Sequence, residues 1–264
     1  MIDLFYRKYG KNKPALIILH GLYGSSDNWV SIAKLLQNDF EVFLLDLRNH
    51  GNSPHTQTHT YKDLSQDLYN FIEKHNISKA VLLGHSMGGK AVMQFVADNT
   101  DVPSAMIIVD ISPAAYPLDK IKSGKLEKHK QILEALNDKS ILNSNSRQEA
   151  SEKLAHYIKD IRTRNFILKN LKRNKNNFEW KLNVKVISEN IQNILKEVEI
   201  NDAVSGFPCL FVKGANSDYI NKENVKYIYE KFPASEIVEI SDAGHWLHAE
   251  KQEEFINILK DFLL

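Results

Sequence analysis

Through the first 112 residues, short and almost wholly apolar runs alternate with stretches in which apolar residues recur every three or four positions. No other feature of the chain restricts its fold so strongly. A strand that is apolar at nearly every position is buried on both faces, and parallel sheets, covered on both sides by their crossover helices, are where such strands occur. The runs are Ala15 to Leu19, Glu41 to Leu45, Ala80 to Leu83 and Ala105 to Val109. The helical patterns between them are Asn28 to Leu36, Lys62 to Lys74 and Gly88 to Asp98. In the second of these, Leu64, Leu68, Phe71 and Ile72 make one apolar face. Leu4 to Tyr9 reads as an antiparallel edge strand.

After Ser112-Pro113 the alternation stops. Residues 114–204 are rich in Lys, Asn and Leu, keep a helical periodicity and hold a single glycine, Gly124. They read as an inserted helical segment in which the Asn and Lys cluster from Asn170 to Asn177 is an exposed turn. Strand character returns at Pro208 to Lys213 and Glu236 to Ile240, with a helix at Lys222 to Lys231 and a last one from about Lys251 to Leu264. The expected organisation is one α/β core, residues 1–113 and 205–264, interrupted by a helical cap at 114–204.

Charge removes several classes of function. Thirty-four Lys and Arg against 33 Asp and Glu leave +1, so no global field draws the chain to nucleic acid or to an anionic membrane. The distribution is uneven, since the insertion carries 18 basic against 12 acidic residues and the remainder is correspondingly negative. The single cysteine, Cys209, cannot form an internal disulfide, and MIDLFYRKYG lacks the apolar core of a secretory signal. No apolar run is long enough to span a bilayer, and the cytoplasm is the expected compartment. Nothing in the sequence speaks to oligomeric state.

The chemistry concentrates in Val81-Leu82-Leu83-Gly84-His85-Ser86-Met87-Gly88-Gly89, a strand, a sharp turn and the start of a helix. Serine at the apex of Gly-x-Ser-x-Gly in that context is a nucleophile elbow, in which strained backbone lifts the hydroxyl above the sheet edge beside a helix N-terminus. Ser86 is the candidate nucleophile. Gly84 to Lys90 also spells the start of a phosphate-binding loop, but the position that must be Ser or Thr to hold Mg²⁺ is Ala91. A tight turn with an idle serine is the plain structural alternative. At the end of the second apolar run, His20-Gly21-Leu22-Tyr23-Gly24-Ser25 can aim a backbone amide, so that the N–H groups of Leu22 and Met87 would form an oxyanion hole. The loop after the last strand carries Gly244-His245-Trp246, at the same carboxyl-end edge as Ser86, which makes His245 the candidate base and His248 the weaker neighbour. His55 and His59 fall in a polar loop, while His75, His129 and His156 fall in helical patterns. The spacing of His50, His55 and His59 fits no usual zinc site.

These blocks, together with DLRNHGNSP (Asp46 to Pro54), VDISP (Val109 to Pro113), GANS (Gly214 to Ser217) and GHWLHAEK (Gly244 to Lys251), resemble the α/β-hydrolase superfamily. Within it the resemblance is to YbfF-type bacterial esterases and the similar abhydrolase-domain 11 group. It implies a serine ester hydrolase without metal or organic cofactor, built on a mostly parallel eight-stranded sheet with helices on both faces and a helical cap. It also frames the search for the triad acid. In most such proteins the acid follows the strand after the cap in a Gly-x-x-Asp pattern, but here Ser217 occupies that place and Asp218 is one residue late. Asp110 ends the strand beyond that of Ser86, so it is expected to be the acid, with Ser217 as a hydrogen-bonding auxiliary. The expected partner is a small-molecule acyl ester, or an acyl-CoA thioester if the basic insertion reads an anionic leaving portion. A lyase of the menaquinone-pathway type, acting on a carboxylated small molecule, and a non-catalytic binding module are the alternatives on the same fold.

Overall fold

The computed structural model describes residues 2–116, 125–175 and 177–264. Gly124 and Asn176 lie outside the described residues. The core strands are β1 (Tyr6–Tyr9), β2 (Ala15–Leu19), β3 (Glu41–Leu45), β4 (Ala80–His85) and β5 (Pro103–Val109). The first three helices are α1 (Val30–Leu36), α2 (Tyr61–Lys74) and α3 (Met87–Asp98). Helix α2 starts where Thr60 accepts from the Asp63 amide and Asp63 reciprocates, a capping box, and it buries Leu64, Leu68, Phe71 and Ile72 as the periodicity demands.

Between β5 and the next strand of the sheet come α4 (Lys125–Asn137), α5 (Lys139–Leu142), α6 (Arg147–Leu154), α7 (Ile161–Leu168), β6 (Leu171–Asn174), β7 (Asn177–Trp180) and α8 (Val184–Leu195). The chain closes with β8 (Cys209–Gly214), α9 (Lys222–Lys231), β9 (Ser235–Ile240), α10 (Leu247–Glu250) and α11 (Gln252–Leu263). The sheet order is β1-β3-β2-β4-β5-β8-β9, parallel throughout except for antiparallel β1 against β3.

Among the described residues this sheet has seven strands where the resemblance implied eight. The stretch before Tyr6 adds none, because the Phe5 amide donates to Ser53 Oγ (2.8 Å) and its carbonyl accepts from the Asp46 amide (2.9 Å), contacts with a loop rather than a neighbouring strand. Side chains alternate between two cores. Ile17, Leu19, Leu82 and Ile108 face α2 and α3, while Leu16, Ile18, Leu83 and Ile107 face α1 and α11.

The inserted segment is not wholly helical. β6 and β7 form an antiparallel hairpin, with Leu171 opposite Trp180 and Asn174 opposite Asn177. Leu171 and Phe178 are buried, whereas Asn174 and Asn177 are exposed. A period-two signal over four residues, inside a Lys and Asn rich stretch, is too short to stand out from the surrounding helical pattern. Asn170, expected in an exposed turn, is only 3% exposed.

The segment's two ends meet, as the Tyr116 amide donates to the Leu195 carbonyl (2.9 Å) and the Val198 amide to that of Pro113 (2.8 Å). Lys90 of α3 reaches both ends with its buried Nζ, donating to the carbonyls of Ala114 and Lys196, and burial pulls its pKa down to about 7.

Strand register aligns the loops at one end of the sheet. His85 lies opposite Val109, Val109 opposite Val212, and Gly214 opposite Ile240. The loops that carry Ser86, Asp110, Ser217 and His245 therefore leave the same edge together.

Candidate active site

Ser86 sits between β4 and α3 at φ 52°, ψ −121°, outside the comfortable regions for a residue with a Cβ. Its amide donates to the Val109 carbonyl (3.1 Å) and its carbonyl accepts from the Lys90 amide (3.1 Å), which ties the turn to β5 and to the first turn of α3. Glycine is required on either side by close approach: a Cβ at Gly84 would lie 2.4 Å from the Gly88 carbonyl oxygen, and one at Gly88 would lie 2.4 Å from that of Leu19. This accounts physically for the Gly-x-Ser-x-Gly pattern.

Asp110 follows β5 directly, also left-handed at φ 50°, with its amide donating to the Val212 carbonyl (2.8 Å). Its fully buried carboxylate accepts the Gly214 amide at Oδ1 (3.2 Å), the Ser217 hydroxyl at Oδ2 and His245 Nδ1 at Oδ2 (2.7 Å). Ser217 Oγ in turn accepts from the Tyr219 amide (3.3 Å). Asp218 is exposed, one residue further along the turn. The structure thus brings Asp110, Ser217 and His245 into contact.

The neighbours that hold His245 were not legible in the sequence. The Tyr219 ring stacks on its imidazole at 4.0 Å with 20° between the planes. The His85 ring lies 4.6 Å from it, tilted by 42°, and His85 Nε2 donates to the His245 carbonyl (2.9 Å). Burial, with His245 and His248 nearby, holds the His85 pKa well below the ordinary range, so a neutral imidazole links the elbow to the His245 loop. His248, in α10, stacks flat on Trp29 at 4.2 Å, and burial pushes its pKa down to about 3.

A buried imidazole cluster stands behind the Leu22 loop. His20 donates from Nδ1 to the Gly21 carbonyl (2.8 Å) and accepts the Leu47 amide at Nε2 (3.0 Å). His50 donates from Nδ1 to the Arg48 carbonyl (3.0 Å) and accepts the Tyr23 amide at Nε2 (3.2 Å). His59, expected in a polar loop, is 1% exposed; its Nδ1 pairs with Asn49 Nδ2 and its Nε2 with the Met87 sulfur, both at 3.3 Å. Burial lowers these three pKa values to about 4, about 3 and about 3 respectively, so all are neutral near pH 7. Their ring nitrogens are taken by protein groups, and among the described residues no His, Cys, Asp and Glu cluster could hold a metal ion. The amides of Leu22 and Met87 have no hydrogen-bond partner among the described residues. Both belong to segments that converge on Ser86, since a Cβ at Gly21 would lie 3.1 Å from the Ser86 Cβ.

Seven basic residues cluster between Lys159 and Lys175 of the insertion, and five of them hold contacts within the segment itself. Lys159 donates to the Ala155 carbonyl, Arg164 to those of Ile158 and Lys159, and Arg173 to that of Asn145, while Arg162 pairs with Asp160 and Lys172 with Glu179. Among the described residues no helix is long and apolar enough to cross a membrane.

Comparison with known proteins agrees with this architecture. The family described as alpha/beta hydrolase fold matches residues 14–252. The chain is 38% identical to a protein of Xenopus tropicalis named sn-1-specific diacylglycerol lipase ABHD11, covering all of this chain and 82% of the relative. It is 31% identical to a protein of Escherichia coli K12 named esterase YbfF, over 96% of this chain and 94% of the other. A solved structure titled marine microorganism esterase superposes with a TM-score of 0.95 at 41% identity, covering both chains completely. By matched length, by identity and by fold, the chain belongs to the α/β-hydrolase family, among relatives named esterases and lipases.

Proposed function

We propose that the chain is a serine ester hydrolase that transfers an acyl group from a small-molecule ester to Ser86 and then to water. The observation that carries this reading is the 2.7 Å contact between His245 Nδ1 and the buried Asp110 carboxylate, at the sheet edge where Ser86 stands in its strained turn. With its Nδ1 proton donated to Asp110, the His245 imidazole has its Nε2 lone pair available to accept a proton. It takes the Ser86 proton as Oγ attacks the ester carbonyl, and the carbonyl oxygen becomes an oxyanion met by the amides of Leu22 and Met87. The imidazolium protonates the leaving alcohol, and water repeats the sequence on the acyl-enzyme. Asp110 stabilises the transient imidazolium, and the Ser217 hydroxyl and Gly214 amide keep the carboxylate oriented.

The segment at 114–204 is read as a cap over this edge. Arg162 and Lys172 of its basic residues are paired with Asp160 and Glu179, and the reading is for esters in general and not for thioesters in particular. Hydrolysis of p-nitrophenyl esters of graded acyl length tests it. Wild-type protein should turn over at least the short-chain members, and Ser86→Ala should lose about 10⁴ to 10⁶-fold while keeping its thermal transition. Absence of ester turnover in the wild type, or undiminished turnover in Ser86→Ala, would overturn it.

A further inference from the structure

Tyr23 is one of two central residues in the turn closed by the Gly24 amide on the Gly21 carbonyl (2.9 Å), and Leu22 is the other. Its φ of 62° is left-handed, in a turn position that ordinarily selects glycine. A bulky residue keeps such a conformation only where its surroundings over-determine it. Here all three polar groups of Tyr23 are held. Its amide donates to His50 Nε2 (3.2 Å), its carbonyl accepts from Asn170 Nδ2 (2.8 Å), and its hydroxyl bonds His129 Nδ1 (3.3 Å).

Two of those partners come from the inserted segment. Asn49, left-handed at φ 65°, repeats the arrangement: its carbonyl accepts the Asn183 amide (2.9 Å) and its Oδ1 accepts Asn183 Nδ2 (3.0 Å). Asn49 directly precedes His50, the acceptor of the Tyr23 amide. Asn170 and Asn183 flank the β6–β7 hairpin, whose base is closed by the Lys181 amide on the Asn170 carbonyl (2.8 Å).

We propose that this hairpin braces the oxyanion loop, and that Asn170 is a positioning residue which, by fixing the Tyr23 carbonyl, keeps the Leu22 amide aimed at the developing oxyanion. The proposal rests on the hydrolase reading above and gives the insertion a part in the chemical step as well as in covering the site. Without the Asn170 donor the Tyr23 carbonyl is left buried and unpaired, and the Tyr23–Gly24 peptide is free to rotate toward the right-handed region. That rotation breaks the Gly24 to Gly21 bond and leaves the Gly21–Leu22 peptide, whose N–H is the Leu22 donor, held through its carbonyl by His20 Nδ1 alone (2.8 Å), so that its aim loosens. An oxyanion donor acts chiefly in the transition state, so the loss belongs in kcat and not in KM.

The test compares wild type, Asn170→Ala and Asn170→Asp in the full chain. The aspartate variant fills the same volume but lacks the donor, and Asn174→Ala, at the exposed hairpin end beside Glu179, serves as control. Turnover of p-nitrophenyl butyrate is expressed per active site counted by fluorophosphonate labelling of Ser86, so a partly folded variant is still measured. Inhibition by a trifluoromethyl ketone reports affinity for a tetrahedral adduct. Both Asn170 variants should lose about 10 to 100-fold in kcat, with KM within about threefold, and ketone affinity should weaken by the same factor. Asn174→Ala should match wild type. A kcat per site within twofold of wild type, or a loss confined to KM with ketone affinity unchanged, would overturn the brace while leaving the hydrolase reading standing. Persistent turnover in Ser86→Ala would remove both.

Discussion

Replacing Asp110 and, separately, Asp218 by asparagine divides two carboxylates that stand in nearby loops and differ in what they touch. Asp110 is fully buried and accepts from the Gly214 amide, the Ser217 hydroxyl and His245 Nδ1; Asp218 is exposed. The imidazolium formed at His245 during acyl transfer sits against the Asp110 charge. With ~3.5 Å between charge centres and an effective dielectric constant of about 20, their attraction is roughly 5 kcal/mol, or between three and four powers of ten in rate. An asparagine at 110 removes that attraction. Its amide also favours the imidazole tautomer whose Nε2 bears a proton, which cannot accept one from Ser86. We therefore expect Asp110→Asn to lower kcat/KM for p-nitrophenyl butyrate by about 10³ to 10⁴-fold at pH 7.5, with the protein still folded. Asp218→Asn should change it by no more than about threefold, because a surface charge so exposed is screened by solvent. A severe loss in Asp218→Asn together with a mild one in Asp110→Asn would refute the assignment of the acid.

Three further outcomes are expected from the contacts around the site. His85→Leu removes the donor to the His245 carbonyl and should reduce kcat by about tenfold, with little change in KM, as read from initial rates; an unchanged kcat would mean that the His245 loop is held by other contacts. His248→Phe keeps the flat stack on Trp29 while removing a ring whose buried Nδ1 has no hydrogen-bond partner among the described residues, so stability at pH 7 should be unchanged or higher. Its acid sensitivity should also fall. A histidine held near 3 in the fold and near 6.5 when unfolded takes its proton first in the unfolded state, which draws stability down as pH drops from about 6.5 toward 3. Denaturant titrations of His248→Phe at pH 4 to 6 should show a slope of stability against pH smaller by about 1.4 kcal/mol per unit; an identical slope would contradict the burial argument. Because Arg162 and Lys172 are paired with carboxylates and lie in screening solvent, kcat/KM on neutral and anionic leaving groups should respond alike to salt between about 20 and 200 mM; a selective loss for the anionic substrate would point to steering by the insertion.

Much of this architecture is legible because its causes are local. Leu16 to Leu19 and Val81 to Leu83 are apolar at every position since they are buried on both faces, and Gly84 and Gly88 are glycines since backbone passes within van der Waals contact of where a Cβ would stand. The one-residue offset that puts Ser217 where an acid is usual is visible in the sequence, and Ser217 and Asp110 meet in the fold. What stayed hidden depends on partners distant in the chain. A buried, neutral histidine such as His59 has the same letters around it as a solvated one, and its burial is decided by Asn49 and Met87. The β6–β7 hairpin is held by residues far away at Tyr23 and Asn49, so four-residue strands with exposed Lys and Arg carry almost no periodic signal of their own. An eighth strand follows from the resemblance alone, and in this chain the amide of Phe5 goes to Ser53 instead of to a neighbouring strand.

The central claim is that Ser86 becomes acylated. Purified protein treated with a fluorophosphonate, digested and mapped by mass spectrometry, tests it most directly. The account predicts one adduct per chain, on the peptide that contains Ser86, formed in wild type and absent from Ser86→Ala. An adduct on Ser112 or Ser217, or no adduct under conditions where the protein hydrolyses esters, would contradict it.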